Sequence, residues 1–202
     1  MEDYKLNNNN YIEEKTNKKR IIIGNTFSYG MNHVKGWKTR YNGSYKKTAH
    51  YTISIDGSIH EHFSPDYYSK LMLNDKVNKT SIVILLENIG WLIESNLKEK
   101  EYIDYIGNIY NQTNVFEKKW RGYKYWSEYT NEQEESVIKL VKELCVKYKI
   151  PLNVIAHNTN VNDANKFEGI LYKSNFEKFY TDVNPTWNFE QFKNNIELKT
   201  KQ

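Results

Sequence analysis

Cysteine occurs once in the 202 residues, at Cys145, so no intramolecular disulfide framework can hold this chain. Proline occurs three times and glycine nine, which excludes collagen-like and Pro/Gly-rich low-complexity architectures. No run of about 18 apolar residues is present, so no membrane span is expected. The opening stretch "MEDYKLNNNNYIEEKTNKKR" has no apolar core segment, so no signal peptide is expected either. Charge of one sign is also scarce. Lys and Arg number 29 against 25 Asp and Glu, a net charge of +4. That balance is mildly basic, with no basic arm, and nucleic acid is not expected as a partner.

What is present is aromatic and apolar substance. Hydrophobic residues make up 39% and aromatics 15% of the chain, enough for a real core and against disorder. The length fits one domain with a small insertion. Residues 1–19 are polar and low in complexity around Asn7–Asn10, which predicts a flexible tail. The domain is expected over 20–192, with an insertion at about 91–129, and a second polar tail follows at 193–202.

Within the domain, "RIIIGNTFS" reads as a buried strand entering a loop. "TAHYTISIDGSIHEHF" carries strand character on both sides of Asp56-Gly57, a hairpin signal. "TSIVILLEN" is a continuous apolar run, as in a central strand covered on both faces. "YIDYIGNIY" places Tyr102, Ile103, Ile106, Ile109 and Tyr110 at roughly helical spacing, so the insertion is expected to be helical and aromatic-rich. Thr130 opens a capping box with Gln133, and an apolar stripe from Val137 to Tyr148 predicts a helix that ends before Pro151. Cys145 lies on that stripe, as a buried structural thiol. "LNVIAHN" reads as a short strand ending in His157, and a short helix closes the domain. The order predicts an α/β fold, a mixed central sheet flanked by helices.

Five histidines are the first candidates for chemistry: His33, His50, His60, His62 and His157. His157 is expected at a strand end, where functional side chains concentrate. Asp182 leads the stiff segment "DVNPTWNFEQF". An imidazole and a carboxylate on rigid supports suit zinc, although an Asp-led turn before a helix reads equally well. His60 and His62 are two apart on a strand and face the same way, so they are read as a metal-chelating pair or as a solvated strand end. In "WRGYKYW", Trp120, Tyr123 and Trp126 are placed to stack on sugar faces, with Arg121 meeting carboxylates, or else to cover the core beneath the insertion.

Four segments together resemble the zinc-dependent N-acetylmuramoyl-L-alanine amidase family, which includes amidase-type phage lysozymes and peptidoglycan-recognition proteins. "TAHYTISIDGSI" resembles the family's hairpin and "SIVILLEN" its central strand. "NVIAHN" is similar to the strand presenting a zinc histidine, and "DVNPTWNFEQF" to the Asp-led segment holding an acidic ligand. The resemblance spans residues 20–192 in order, interrupted at 91–129 and by an extended loop at 158–181. It implies His157 and Asp182 as zinc ligands, with Glu168 as an alternative acid.

It also implies hydrolysis of the muramoyl–L-alanine amide of peptidoglycan by zinc-activated water. Glu87 would carry the proton, and Tyr180 or His50 would stabilise the oxyanion. Trp120, Arg121, Tyr123 and Trp126 would bind substrate. A phage-encoded enzyme, reaching the wall after release or as part of a virion, is the expectation. The chain departs from the family's pattern at several points. Gly24, in "IIIGNT", stands where the first zinc histidine is expected, with His33 as a conceivable replacement. Leu85 stands where the central strand's first Glu is expected. Ala49 falls on a position that is Tyr in some members, and Tyr180 on one that is Lys. The alternative implied by Gly24 is an inactive peptidoglycan-binding or virion structural module on the same fold.

Overall fold

The computed structural model describes residues 4–96, 101–111, 114–156, 159 and 164–197. Its elements, in chain order, are β1 (Arg20–Asn25), α1 (Asn32–Thr39), β2 (Tyr51–Ile53), β3 (Ile59–Glu61), α2 (Asp75–Thr80) and β4 (Ser81–Leu86). β5 (Trp91–Glu94), β6 (Tyr102–Ile103), β7 (Val115–Trp120), β8 (Tyr123–Ser127) and α3 (Asn131–Tyr148) follow, then β9 (Gly169–Tyr172) and α4 (Phe189–Glu197). The main sheet runs β3-β2-β4-β1-β9. β1 pairs in parallel with both β4 and β9, β2 pairs in parallel with β4, and β3 closes one edge antiparallel to β2.

The continuous apolar runs of β1 and β4 follow from this central position. Ile21 and Ile23, with Ile82, Ile84 and Leu86, face a core completed by Val137, Val141 and Leu144 of α3 and by Phe192 and Ile196 of α4. The alternate residues Ile22, Val83 and Leu85 face a second core, with Val34 and Trp37 of α1 and Val77 of α2. A strand buried on both faces cannot show polar alternation. The capping box forms as the sequence predicts. Thr130 Oγ1 accepts from the Gln133 N–H, and Gln133 Oε1 accepts from the Thr130 N–H. Gln133 Nε2 then donates to the carbonyls of Ile53 and Glu87, tying the start of α3 to the ends of β2 and β4. Cys145 is buried and free, and burial pushes its thiol up to about 12.

Two expectations are corrected. The insertion is not helical; it is a second sheet, ordered β6-β5-β8-β7. Asp104 Oδ1 accepts from the N–H groups of Ile106 and Asn108, so an Asp-led turn at Gly107 overrides the helical spacing of its neighbours. Arg121 and Gly122 both adopt positive φ, 48° and 88°, the left-handed pair that a tight hairpin between β7 and β8 requires. The polar segment before β1 is packed along the domain. Leu6 N–H donates to the His62 carbonyl, Ile12 pairs with Tyr68, and the buried Asn10 amide donates to the carbonyls of Trp37, Gly43 and Tyr45. Asparagines read as low complexity serve here as backbone caps.

His62 is buried, so the solvated strand end does not hold for it. Its Nε2 bonds Thr52 Oγ1 at 2.8 Å, and Thr52 Oγ1 also bonds His33 Nε2 at 3.0 Å. Burial, the largest cause in each case, lowers His33 and His50 to about 3 and His62 to about 4. A folded pKa below the unfolded value means the unfolded chain binds more protons as pH falls. Their contribution to stability is therefore complete above about pH 6.5, the ordinary imidazole value, and erodes below it. We expect denaturant stability to fall between pH 7 and pH 5, by up to about 2 kcal/mol for each imidazole. Equal unfolding midpoints at the two pH values would contradict this.

Candidate active-site cleft

Parallel pairing brings three side-chain positions into one row at the carboxyl ends of the strands. Gly24 of β1 is in register with Leu85 of β4, and Lys173 follows Tyr172, the register partner of Ile23. Open α/β sheets bind ligands beyond these strand ends. A cleft of about 530 Å³ lies here, lined by Lys173, Asn25, Phe27, His33, Trp37 and Arg40 among others. A neighbouring cavity of about 760 Å³ contains Glu87, and the two share Tyr29, Ile89, Asp104 and Asn108 in their walls.

Beneath the row lies a buried ion pair. Lys173 Nζ stands 2.9 Å from Asp182 Oδ2, and the two residues are 8% and 0% exposed. The Asn25 N–H donates to the same oxygen at 3.0 Å. Asp182 Oδ1 is buried without a hydrogen-bond partner among the described residues. The Lys173 ammonium also lies 4.6 Å from the centre of the Tyr180 ring, and Phe27 flanks it at 6.0 Å. Gly24 makes room for this arrangement. A Cβ there would come within 2.5 Å of Lys173 Cδ and 2.6 Å of Asp182 Oδ2.

The sequence-derived candidates distribute unevenly around this centre. Asp182 is in it. Glu87 lines the adjoining cavity, where its Oε1 accepts from the Gly30 N–H and its Oε2 from the Ile55 N–H at 3.4 Å. Tyr180 packs on Lys173, and burial, then Asp182, raises its hydroxyl pKa. His50 is enclosed. Its Nδ1 accepts from the Val83 N–H at 2.9 Å, which leaves Nε2 protonated and bonded to the Tyr67 carbonyl at 3.1 Å. Both ring nitrogens are thus occupied, and the imidazole is structural. His33 lines the cleft but bonds Ser28 and Thr52. Glu168 pairs with Lys19 on the surface. His157 lies outside the described residues.

The aromatic-basic stretch resolves toward packing. Trp126 is fully buried, and its Nε1 donates to the Lys118 carbonyl. Tyr123 stacks on Trp91 at 4.2 Å. Arg121 sits over Trp120 and donates to the carbonyls of Ser174, Glu177 and Tyr180. Three of its N–H groups are thereby bonded to the loop that carries Tyr180 toward Asp182.

Lys173 is the residue that the sequence reading missed. "GILYK" is an apolar run ending in a cation, a usable strand signal, but it lies inside a stretch read as loop. Val154 pairs with Ile170, so the "NVIA" segment lies outside β9, and β9 itself is the neighbour of β1. Zinc does not fit the described residues. Among them no group of three His, Cys, Asp or Glu side chains converges. The one carboxylate at the centre already holds an ammonium, and Gly24 offers no donor.

The fold and cleft define an α/β domain of enzyme type, with its site at the ends of parallel strands. The family model for N-acetylmuramoyl-L-alanine amidase matches residues 13–167, and the chain belongs to that family. Structures of similar fold include the N-acetylmuramoyl-L-alanine amidase LysC from Clostridium intestinale URNW (16% identity, 91% of this chain and 88% of that one, TM-score 0.51). PlyL is similar at 11% identity over 94% and 89% of the two chains, TM-score 0.55. So is AMPDH3 from Pseudomonas aeruginosa, solved with anhydromuramic pentapeptide (12%, 91% and 62%, TM-score 0.54). No curated protein sequence matches the chain. No helix among the described residues is long and apolar enough to cross a membrane.

Two substitutions test the centre. Lys173→Met leaves the Asp182 carboxylate buried and unpaired and is expected to cost about 3–5 kcal/mol in denaturant unfolding. Arg121→Ala removes three bonds to carbonyls and is expected to cost about 1–3 kcal/mol. Hydrogen exchange should then accelerate at 174–181, and Arg121→Lys should not rescue it, because an ammonium lacks the planar fork. Wild-type exchange in Arg121→Ala would remove the clamp from the account.

Proposed function

We propose that the protein is a peptidoglycan amide hydrolase that takes the junction between N-acetylmuramic acid and L-alanine into the cleft at the ends of β1, β4 and β9. The observation that carries this reading is the family match over 13–167 combined with a cleft of suitable chemistry at the strand ends. Phe27 and Tyr105 in its walls offer aromatic rings to a sugar, and Arg40 and Lys47 present cations to stem-peptide carboxylates. In this reading Glu87 takes the proton of the attacking water and passes it to the L-alanine nitrogen as the C–N bond breaks. The Lys173 ammonium, with N–H donors beyond the one on Asp182, stabilises the developing oxyanion. No step is routed through zinc. One similar structure is that of an endolysine amidase from Clostridium intestinale URNW, and lysis of a host wall by a phage-encoded enzyme belongs to this reading.

A second reading keeps the ligand and drops the cut. The neutralised Lys173–Asp182 pair and the missing side chain at Gly24 favour a module that binds peptidoglycan without hydrolysing it. Purified sacculi separate the two. Release of stem peptides with free L-alanine amino termini, abolished in Glu87→Gln, is the expected result. Retention on sacculi without release would establish the binding module, and neither retention nor release would overturn both.

A further inference from the structure

The resemblance implies a zinc-holding Asp182, whereas the geometry at that residue gives a different cation. A carboxylate buried to 0% exposure must be neutralised, and the positive charge beside it is the Lys173 ammonium at 2.9 Å. Three positions converge on this charge. Lys173 arrives from the end of β9, Asp182 from the loop before α4, and Gly24 from β1. The direction of a side chain at position 24 is fixed by the strand, and its first carbon would already lie 2.5 Å from Lys173 Cδ. A side chain at position 24 and the Lys173 side chain in its observed conformation therefore compete for the same space. The glycine at 24 thus makes room for the lysine at 173, which extends the neighbouring parallel strand.

We propose that Lys173 is the resident cation of this site, standing in place of a divalent metal, and that the centre is built to work without one. The substitution conserves what the fold needs and changes what the cleft offers. An ammonium neutralises Asp182 permanently, without metal supply. It has three N–H donors, of which one meets Asp182, and the residue lines the cleft. It therefore presents hydrogen-bond donors to a carbonyl or carboxylate oxygen of a ligand, where a metal would present an open coordination position. Tyr180 and Phe27 hold it from the sides by their ring faces.

The test is metal content rather than activity. Untagged wild-type protein, stripped with chelator and then incubated with Zn2+, should carry no stoichiometric zinc after desalting. Its melting temperature should be the same in chelator and in Zn2+. Stoichiometric zinc that disappears in Asp182→Asn would overturn the proposal. The converse experiment rebuilds a metal site from the same three positions. The double variant Gly24→His with Lys173→His is expected to bind Co2+ with the visible absorption of a tetrahedral site. Gly24→His alone should lower the melting temperature, and adding Lys173→His should recover part of that loss. A folded double variant that binds no Co2+ would show that the positions do not converge on one cation site. If the double variant does not fold, the wild-type metal content decides the matter. Failure of sacculus cleavage leaves this proposal standing and counts only against the hydrolase reading.

Discussion

The pairing of β1 with a parallel neighbour on each side is the constraint from which the rest of the molecule follows. It buries β1 and β4 on both faces, which requires the unbroken apolar runs at 21–23 and 82–86 and sends alternate residues into two separate cores. It also fixes a register, so the last residues of three strands end at one level. Whatever stands at positions 24, 85 and 173 must share that level. In this chain they are a glycine, a leucine and a lysine. One small residue, one apolar residue and one cation cannot form a ligand set, but they leave a socket in which a long side chain lies across β1 to reach Asp182.

That socket is maintained from a distance. Arg121, at the tip of the β7–β8 hairpin, holds the carbonyls of Ser174, Glu177 and Tyr180. The Ser174 N–H in turn donates to the Asp182 carbonyl at 2.8 Å. Tyr129, just before α3, donates to Asn25 Oδ1 and accepts from the Asn184 N–H, linking the end of β1 to the chain beyond Asp182. The inserted sheet therefore serves the centre structurally. Its aromatic residues stack among themselves, and its one cation at the turn grips backbone. Of the residues read from the sequence as substrate-binding, Trp126 packs in the interior, Tyr123 stacks on Trp91, and Arg121 holds the loop that leads to Asp182.

Much of the fold was legible because its signals are local. The apolar runs of β1 and β4, the Asp56-Gly57 turn and the Thr130–Gln133 box each depend on residues close together in the chain. The insertion was misread because helical spacing and an Asp-led turn compete within the same nine residues, and spacing is silent about side-chain bonds to the backbone. The N-terminal segment was misread because Asn10 caps carbonyls more than 25 positions away, which composition cannot express. The site was half legible. Asp182 could be found from its stiff surroundings, and Gly24 from the pattern it breaks. Lys173 could not, since its meaning lies in its register with Gly24, and that pairing joins residues at opposite ends of the domain.

Gly24 and Lys173, which meet at the centre, thus have a common physical reading. Taken alone, Gly24 is a lost ligand and implies decay of a metal site. A decayed site would leave Asp182 as an uncompensated buried charge, which folding tolerates poorly. Here the charge is compensated by a residue whose side chain needs the very space that the glycine vacates. Compensation of this kind preserves the shape and the electrostatic balance of the cleft, and with them its ability to take a polar ligand. It removes only the coordination chemistry. The Lys173–Asp182 pair is therefore better understood as a replacement centre than as the remnant of a lost one.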